Sequence, residues 1–443
     1  MRITRLLFPI IAFHLASCVQ FKSLPLSAEG SRSAFTGRSL SDSGLQAFLA
    51  NQKSRTGAWN VDRLALVGAY FQGDVAVARA EAEQAAAGIR TAGQMPNPVL
   101  SFSSGYNTSS KGISPWIMSP TLDVTIETAG KRGQRLASAR AKVEAAQLRV
   151  AAAAWDTRSK IRKAMLELYA AGENTKLLQA EVALHEAAVG KLQAQVTVGE
   201  SPGFELTQER LGLSRAMLAL HDAEKLAATS QAQLASAVGV SSAALSAVTL
   251  DFSAFKNLPS TPGNGTRRRA LTHRADLLAA LADYAAADAD LRLEIAKQYP
   301  DLHLNPGYEF DQGDDKWHLG FGVELPILNQ NRGPIAEADA KRKTAGAKFE
   351  AKQQAVFGEI ETALAAYRAG NAKVATAAKL ADEAAHASDT TGRMVELGEL
   401  APLDLTRRRI EASAAKLSLL EARIQAQQAA GELEAALQIP LKK

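Results

Sequence analysis

Cysteine is almost absent from this 443-residue chain: Cys18 stands alone, which excludes an internal disulfide and any CxxC site. Aromatic residues make up only 6%, and alanine fills long stretches in their place. Small side chains let helices approach closely yet bury little each, which suits a wall of packed helices better than a ball. Proline is missing from Gly133 to Thr197, and between Pro334 and Leu397 it occurs only at the first position. There is no Gly-rich phosphate loop, no HExxH pair and no nucleophile elbow. The reading is therefore a non-enzyme with no cofactor, whose work is powered by a partner. The net charge of +5 falls to +3 without Arg2 and Arg5, with both signs interspersed. That is a solvated mixed surface, not a nucleic-acid footprint.

What is present is a duplication. Val198 to Thr207 reads V-G-E-S-P-G-F-E-L-T and Leu397 to Thr406 reads L-G-E-L-A-P-L-D-L-T. Gln94-Met95-Pro96-Asn97 is echoed by Gln298-Tyr299-Pro300-Asp301, and Arg132-Gly133 by Arg332-Gly333. A period of roughly 200 residues is too long for a solenoid and implies two copies of one large unit sharing an assembly. The expected division is a signal peptide at 1–17, an extended Ser/Gly/Pro-rich arm at 18–58 and a first repeat at 59–240. A linker at 241–270 and a second repeat at 271–443 complete it.

Arg2 and Arg5, the short apolar run Leu6 to Leu15 and the small residues before Cys18 read as an export signal, too short to span a bilayer. Leu15-Ala16-Ser17-Cys18 resembles the bacterial lipobox, making Cys18 the expected acylated first residue of the mature chain. An ordinary signal peptide with an incidental cysteine is the alternative. Mass spectrometry of the mature N-terminus is expected to find a lipid on Cys18; cleavage elsewhere, or an unmodified residue, would refute this. Cys18→Ser should disturb processing more than folding.

Two segments in each half alternate with period two, the strand signature. Leu122, Val124 and Ile126 alternate with Asp123 and Glu127; Leu302, Leu304 and Tyr308 alternate with His303 and Glu309; Trp317, Leu319, Phe321 and Val323 alternate with His318 and Glu324. One face is apolar and one polar over about 9 residues, the length that crosses an outer membrane at a tilt. A soluble sheet on its own core would alternate equally well, but this exported chain offers no second sheet to pack on. On the membrane reading, Asp123, Glu127, His303, Glu309, His318 and Glu324 line a water-filled, cation-favouring lumen. A resident metal site is the weaker reading, since His303 and His318 lack close-spaced partner ligands.

Each strand pair precedes a proline-free helix of about 65 residues, on the order of 100 Å long. Shorter helices, Phe204 to Val238 and Leu403 to Leu437, run back after the repeated loops. Four membrane strands cannot close, because open edges in hydrocarbon leave backbone groups unsatisfied. Two or more chains must complete the barrel; the residues alone do not choose three.

The order short helix, strand pair, long helix, loop and return helix, twice over, resembles the TolC family of outer-membrane efflux channels, from about Trp59 to Leu441. Ile126 to Arg132 (I-E-T-A-G-K-R) and Pro326 to Gly333 (P-I-L-N-Q-N-R-G) resemble the strand-to-helix junctions of its CzcC-like, heavy-metal branch. His273-Arg274-Ala275-Asp276-Leu277 resembles the motif that opens the second half, with Ala275 in place of a proline. The resemblance implies an α+β fold, internally duplicated: a homotrimeric outer-membrane β-barrel, four strands per chain, continued by a long periplasmic α-helical barrel. It implies a tripartite system with a periplasmic adaptor (membrane fusion) protein and an inner-membrane RND-type pump. Val198, Gly199, Glu200, Leu397, Gly398 and Glu399 match the adaptor-docking tip, where glycine suits a left-handed helix cap. A plain helix-hairpin turn explains the glycines as well. Glu205 and Asp404, with Arg407 and Arg408 after them, match the periplasmic gate; a helix-capping role for Asp404 is the alternative. Drug efflux, type I secretion or a coiled-coil periplasmic scaffold are the competing functions. A scaffold needs one hairpin flanked by β domains, whereas this chain has two hairpins and four lipid-compatible strands.

Overall fold

The computed structural model describes residues 20–441 apart from 53, 55, 56, 110 and 111. Cys18 and the expected signal segment lie outside the described residues. The chain runs α1 Ala28–Thr36, α2 Ser43–Asn51, α3 Val61–Phe71 and α4 Gly73–Gly93, then β1 Val99–Tyr106 and β2 Trp116–Ile126. The first hairpin of helices is α5 Lys131–Thr197 and α6 Gly203–Val238. Between the halves lie α7 Ser242–Ser246, α8 Ser253–Lys256 and α9 Asn264–His273. The second half is α10 Ala275–Ala296, β3 Leu302–Asp311, β4 Asp314–Val323, α11 Arg332–Glu396 and α12 Pro402–Leu437.

The two long helices span 67 and 65 residues, on the order of 100 Å each. Each starts on a left-handed residue, Gly130 and Asn331, that turns the chain out of its strand. Their stability comes from neighbours along the whole length, since propensity alone cannot hold so long an element. Side by side the order is α6, α5, α12, α11, with α10 packed across α5 and α11 at the strand end. Alanine lines the contacts: Ala188, Ala223, Ala422, Ala426 and Ala430 are buried. A wall results, with α6 and α11 at its two edges.

The arm differs from the extended segment expected, and the linker carries short helices. Ser27 and Asp42 cap α1 and α2 by accepting from Gly30 N–H at 3.0 Å and Leu45 N–H at 2.8 Å. The polar residues that suggested extended chain are helix starts. Leu45 and Leu49 from the arm, and Leu245 and Phe255 from the linker, are buried in one core with α3, α5 and α6. Trp59 and Leu250 form a parallel bridge across it. The boundary at 270 falls inside α9, whose Ala270 is buried in the second core with Leu277, Tyr367 and Leu433. The Arg274-Ala275-Asp276-Leu277 motif works as a clasp. Buried Arg274 bonds Asp276 and Glu359, each at 2.8 Å, and the Ala436 carbonyl at 2.8 Å.

The strands form one antiparallel sheet in the order β1-β2-β3-β4, with 8, 11, 10 and 10 residues. β1 and β4 are its edges. Among the described residues no helix is long and apolar enough to cross a membrane.

Candidate functional site

Register sorts the sheet into two faces. Thr125 lies opposite His303 and Thr121 opposite Gly307, while Glu309 faces Lys316 and Gly307 faces His318. Asp123, His303, Glu309 and His318 therefore share one polar face, with Ser101, Ser103 and Asn305 beside them. The other face carries Leu100, Phe102, Trp116, Leu122, Val124, Leu304, Trp317, Leu319 and Phe321. Two edge-on or tilted aromatic pairs, Tyr106–Trp116 and Tyr308–Trp317, mark its hairpin end, each with centroids 5.0 Å apart. Aromatic rings at one level of an apolar band are what a membrane–water boundary selects.

On the polar face His303 Nδ1 lies 3.1 Å from Asp123 Oδ1 and 3.4 Å from Thr125 Oγ1. Ser119 donates to Glu309 at 3.3 Å. His318 covers Gly307, where a Cβ would come within 2.3 Å of the ring; glycine is there to admit the imidazole. Among the described residues no three His, Cys, Asp or Glu gather closely enough to hold a metal ion.

Two residues expected on the strands by alternation lie just past the strand ends. Glu127 falls beyond the end of β2, where Arg135 of α5 donates to both its carboxylate oxygens and also to the Ala92 and Gln94 carbonyls. That hydrogen bonding holds the Glu127 carboxyl below the ordinary glutamate range. It staples the strand pair to the helices. Next to it Lys131 and Thr128 bind Asp301 at 2.7 and 2.9 Å, tying the two halves together at the same level. Glu324 also lies outside the ladder, one residue past β4. Period two predicts the face of a residue only while the strand lasts.

The repeated loops are built identically. Gly199 and Gly398 have φ of +78° and +77°. Gly199 N–H reaches Val196 O and Glu200 N–H reaches Gln195 O; Gly398 and Glu399 repeat this on Val395 and Met394, at 2.8–3.2 Å throughout. This is the Schellman closure, which needs a left-handed residue just past the helix. No other group lies within 4 Å of either missing Cβ, so glycine is required by conformation and not by crowding. Val198 and Leu397 are exposed at the outermost point.

Behind the loops Leu192, Leu206 and Leu403 are buried together with Ala188. Glu205 pairs with Arg407 at 3.0 Å, joining the two hairpins of one chain. Asp404 does not meet Arg407 or Arg408. Its carboxylate accepts the Ala401 N–H at 3.2 Å, at the start of α12, and Arg408 pairs with Glu411 on its own helix. Lys191 was not singled out by the sequence, yet it bridges the hairpins by donating to the Pro402 carbonyl at 3.0 Å and Thr406 Oγ1 at 2.5 Å. His185 and Glu209, 2.6 Å apart, join α5 to α6 higher up.

Residues 72–240 and 266–437 match the sequence model of the family described as Outer membrane efflux protein. Over 267 residues the chain is 24% identical to the cobalt-zinc-cadmium resistance protein CzcC of Cupriavidus metallidurans, covering 60% of this chain and 62% of that one. The match thus spans less than two thirds of that relative's length. The fold is similar to that of the outer membrane protein VceC of Vibrio cholerae, with a TM-score of 0.68, 18% identity and coverage of 85% and 95%. It is also similar to CusC, with a TM-score of 0.69, 16% identity and coverage of 85% and 91%.

Proposed function

Because the chain belongs to the outer membrane efflux protein family, and so is a channel and not an enzyme, we propose that its cargo is heavy-metal cations. They would be delivered by an inner-membrane pump of the RND type through a periplasmic adaptor. The observation that carries this is the polar face of the sheet, where Asp123, His303, Glu309 and His318 stand together opposite a lipid-compatible face. Closed into a barrel, that face presents carboxylate and imidazole groups to passing cations, which favours their entry without holding them. The likeness to a protein named for cobalt, zinc and cadmium resistance points the same way.

Open edges at β1 and β4 cannot stay unpaired in lipid, and the family resemblance makes the closed assembly a homotrimer of twelve strands, wide enough for water. Acylated Cys18 adds a lipid anchor. The tip residues Val198, Gly199, Glu200, Leu397, Gly398 and Glu399 receive the adaptor, and Glu205, Asp404, Arg407 and Arg408 set the charge of the entrance.

Deleting the chain should sensitise cells to cobalt, zinc or cadmium, with the wild-type copy restoring tolerance; unchanged tolerance to all three would assign the channel another cargo. The entrance charges have their own test. Glu205→Gln with Asp404→Asn should lower cation selectivity in single-channel recordings, most visibly at low salt where screening is weak. Unchanged selectivity would leave pairing with Arg407 and capping of α12 as the whole role of the two carboxylates.

A further inference from the structure

We infer that His303, held in place by Asp123, is the residue of the sheet that distinguishes zinc-like divalent cations from hard ones such as magnesium. This deepens the cargo proposed above and rests on the polar face being the lumen. Two histidines stand on that face, and their surroundings differ. His303 Nδ1 lies 3.1 Å from Asp123 Oδ1. An ionised carboxylate only accepts, so the shared proton is the imidazole Nδ1–H and the lone pair is left on Nε2. A carboxylate behind the ring is how metal-binding histidines are held in one tautomer and one orientation. His318 is turned the other way: its Nε2 lies over Gly307, where a Cβ would collide with it.

The neighbours of His303 leave its ring open. In the ladder it stands between Thr125 on β2 and Gly322 on β4, and glycine puts no side chain on that flank. The side chains of His303 and Asp123 are 41% and 39% exposed, open enough for a hydrated ion to reach them. Position adds to this. α10 ends at Ala296 and β3 starts at Leu302, so His303 sits where the helices join the sheet, beside the Lys131–Asp301 pair. In the proposed channel a cation leaving the helical tunnel meets this level of the barrel first.

Ligand chemistry sets the preference. An imidazole nitrogen suits zinc and its late first-row neighbours, whereas magnesium keeps oxygen ligands and sheds water reluctantly. Copper(I) would ask for sulfur. Met118, the only sulfur on the described strands, lies on the apolar face opposite Phe310. One nitrogen from each chain, with water filling the remaining positions, binds weakly and lets go, as conduction requires. Asp123 is a positioning residue here, and His303 is the one that touches the ion.

The purified full chain in planar bilayers tests this, with potassium carrying the current and zinc or magnesium added separately. Zinc should lower the wild-type current at about a tenth of the magnesium concentration that has the same effect. His303→Ala should abolish that advantage. Asp123→Ala should cut it roughly threefold or more with the ring still present, and Asp123→Glu, which restores the acceptor, should recover most of it. Glu309→Gln removes a charge from the same face farther along β3, and should shift zinc and magnesium alike. Heat-modifiable migration on unboiled gels checks that each variant has assembled. A zinc advantage that survives His303→Ala, or that Glu309→Gln lowers as much, would overturn the inference. A wild-type channel without preference for cations over anions would sink the cargo reading and this inference together. A cation-selective wild type that answers zinc and magnesium equally would sink the inference alone.

Discussion

Phe321→Arg is expected to abolish stable assembly in the outer membrane, whereas Gly322→Arg, one residue on, should assemble and change conductance. Phe321 is 81% exposed on the apolar face of β4, an edge strand that the proposed barrel sets against lipid and a second copy. A charge there costs about 2–4 kcal/mol near mid-membrane, and every chain of the oligomer carries it. Gly322 points to the polar face opposite His303. A Cβ built on it meets His303 Cβ at 3.7 Å, ordinary contact that leaves room for a longer side chain reaching into water. Heat-modifiable migration on unboiled gels reads assembly, and bilayer recording reads conductance. Equal assembly defects from both substitutions would mean that the two faces have been assigned wrongly. The same sheet shows why the neighbouring glycine is a poor choice for this test: at Gly307 any side chain displaces His318.

Gly398→Val should leave oligomers in the outer membrane and yet abolish efflux and adaptor cross-linking. Valine at φ +77° pays at least about 1–2 kcal/mol for the left-handed conformation, more because it is β-branched. With open space around the position, the only relief is to unwind the closure, which releases the N–H groups of Gly398 and Glu399 from Val395 and Met394. The damage stays local, because the sheet lies a long helix away, on the order of 100 Å. Gly199→Val should behave alike, its loop having the same bonds. Full efflux by Gly398→Val would move the functional end of the molecule away from these loops.

The tip and the wall differ in how far the chain announces them. The duplication, the two long helices, the helix-reversing glycines and the alternation of Leu302 to Val323 are written in consecutive residues. Local conformation follows from local pattern: glycine permits the left-handed cap, and period two separates the faces of a strand. The apolar and polar sets of the sheet were legible for the same reason, as were Asp123, His303, Glu309 and His318. Sequence pattern failed where a residue's role depends on what stands across from it. Glu127 keeps the alternation but has left the strand, and Arg135 claims it. The Ser- and Pro-rich arm and linker look unstructured until Leu45, Leu49, Leu245 and Phe255 find a shared core. Lys191, Glu205 and Arg407 become a latch because the order α6, α5, α12, α11 sets one hairpin against the other. Such pairs join residues about 200 positions apart, and no local period encodes which side chain meets which. Only packing settles that, because it alone brings distant donors and acceptors within bonding distance.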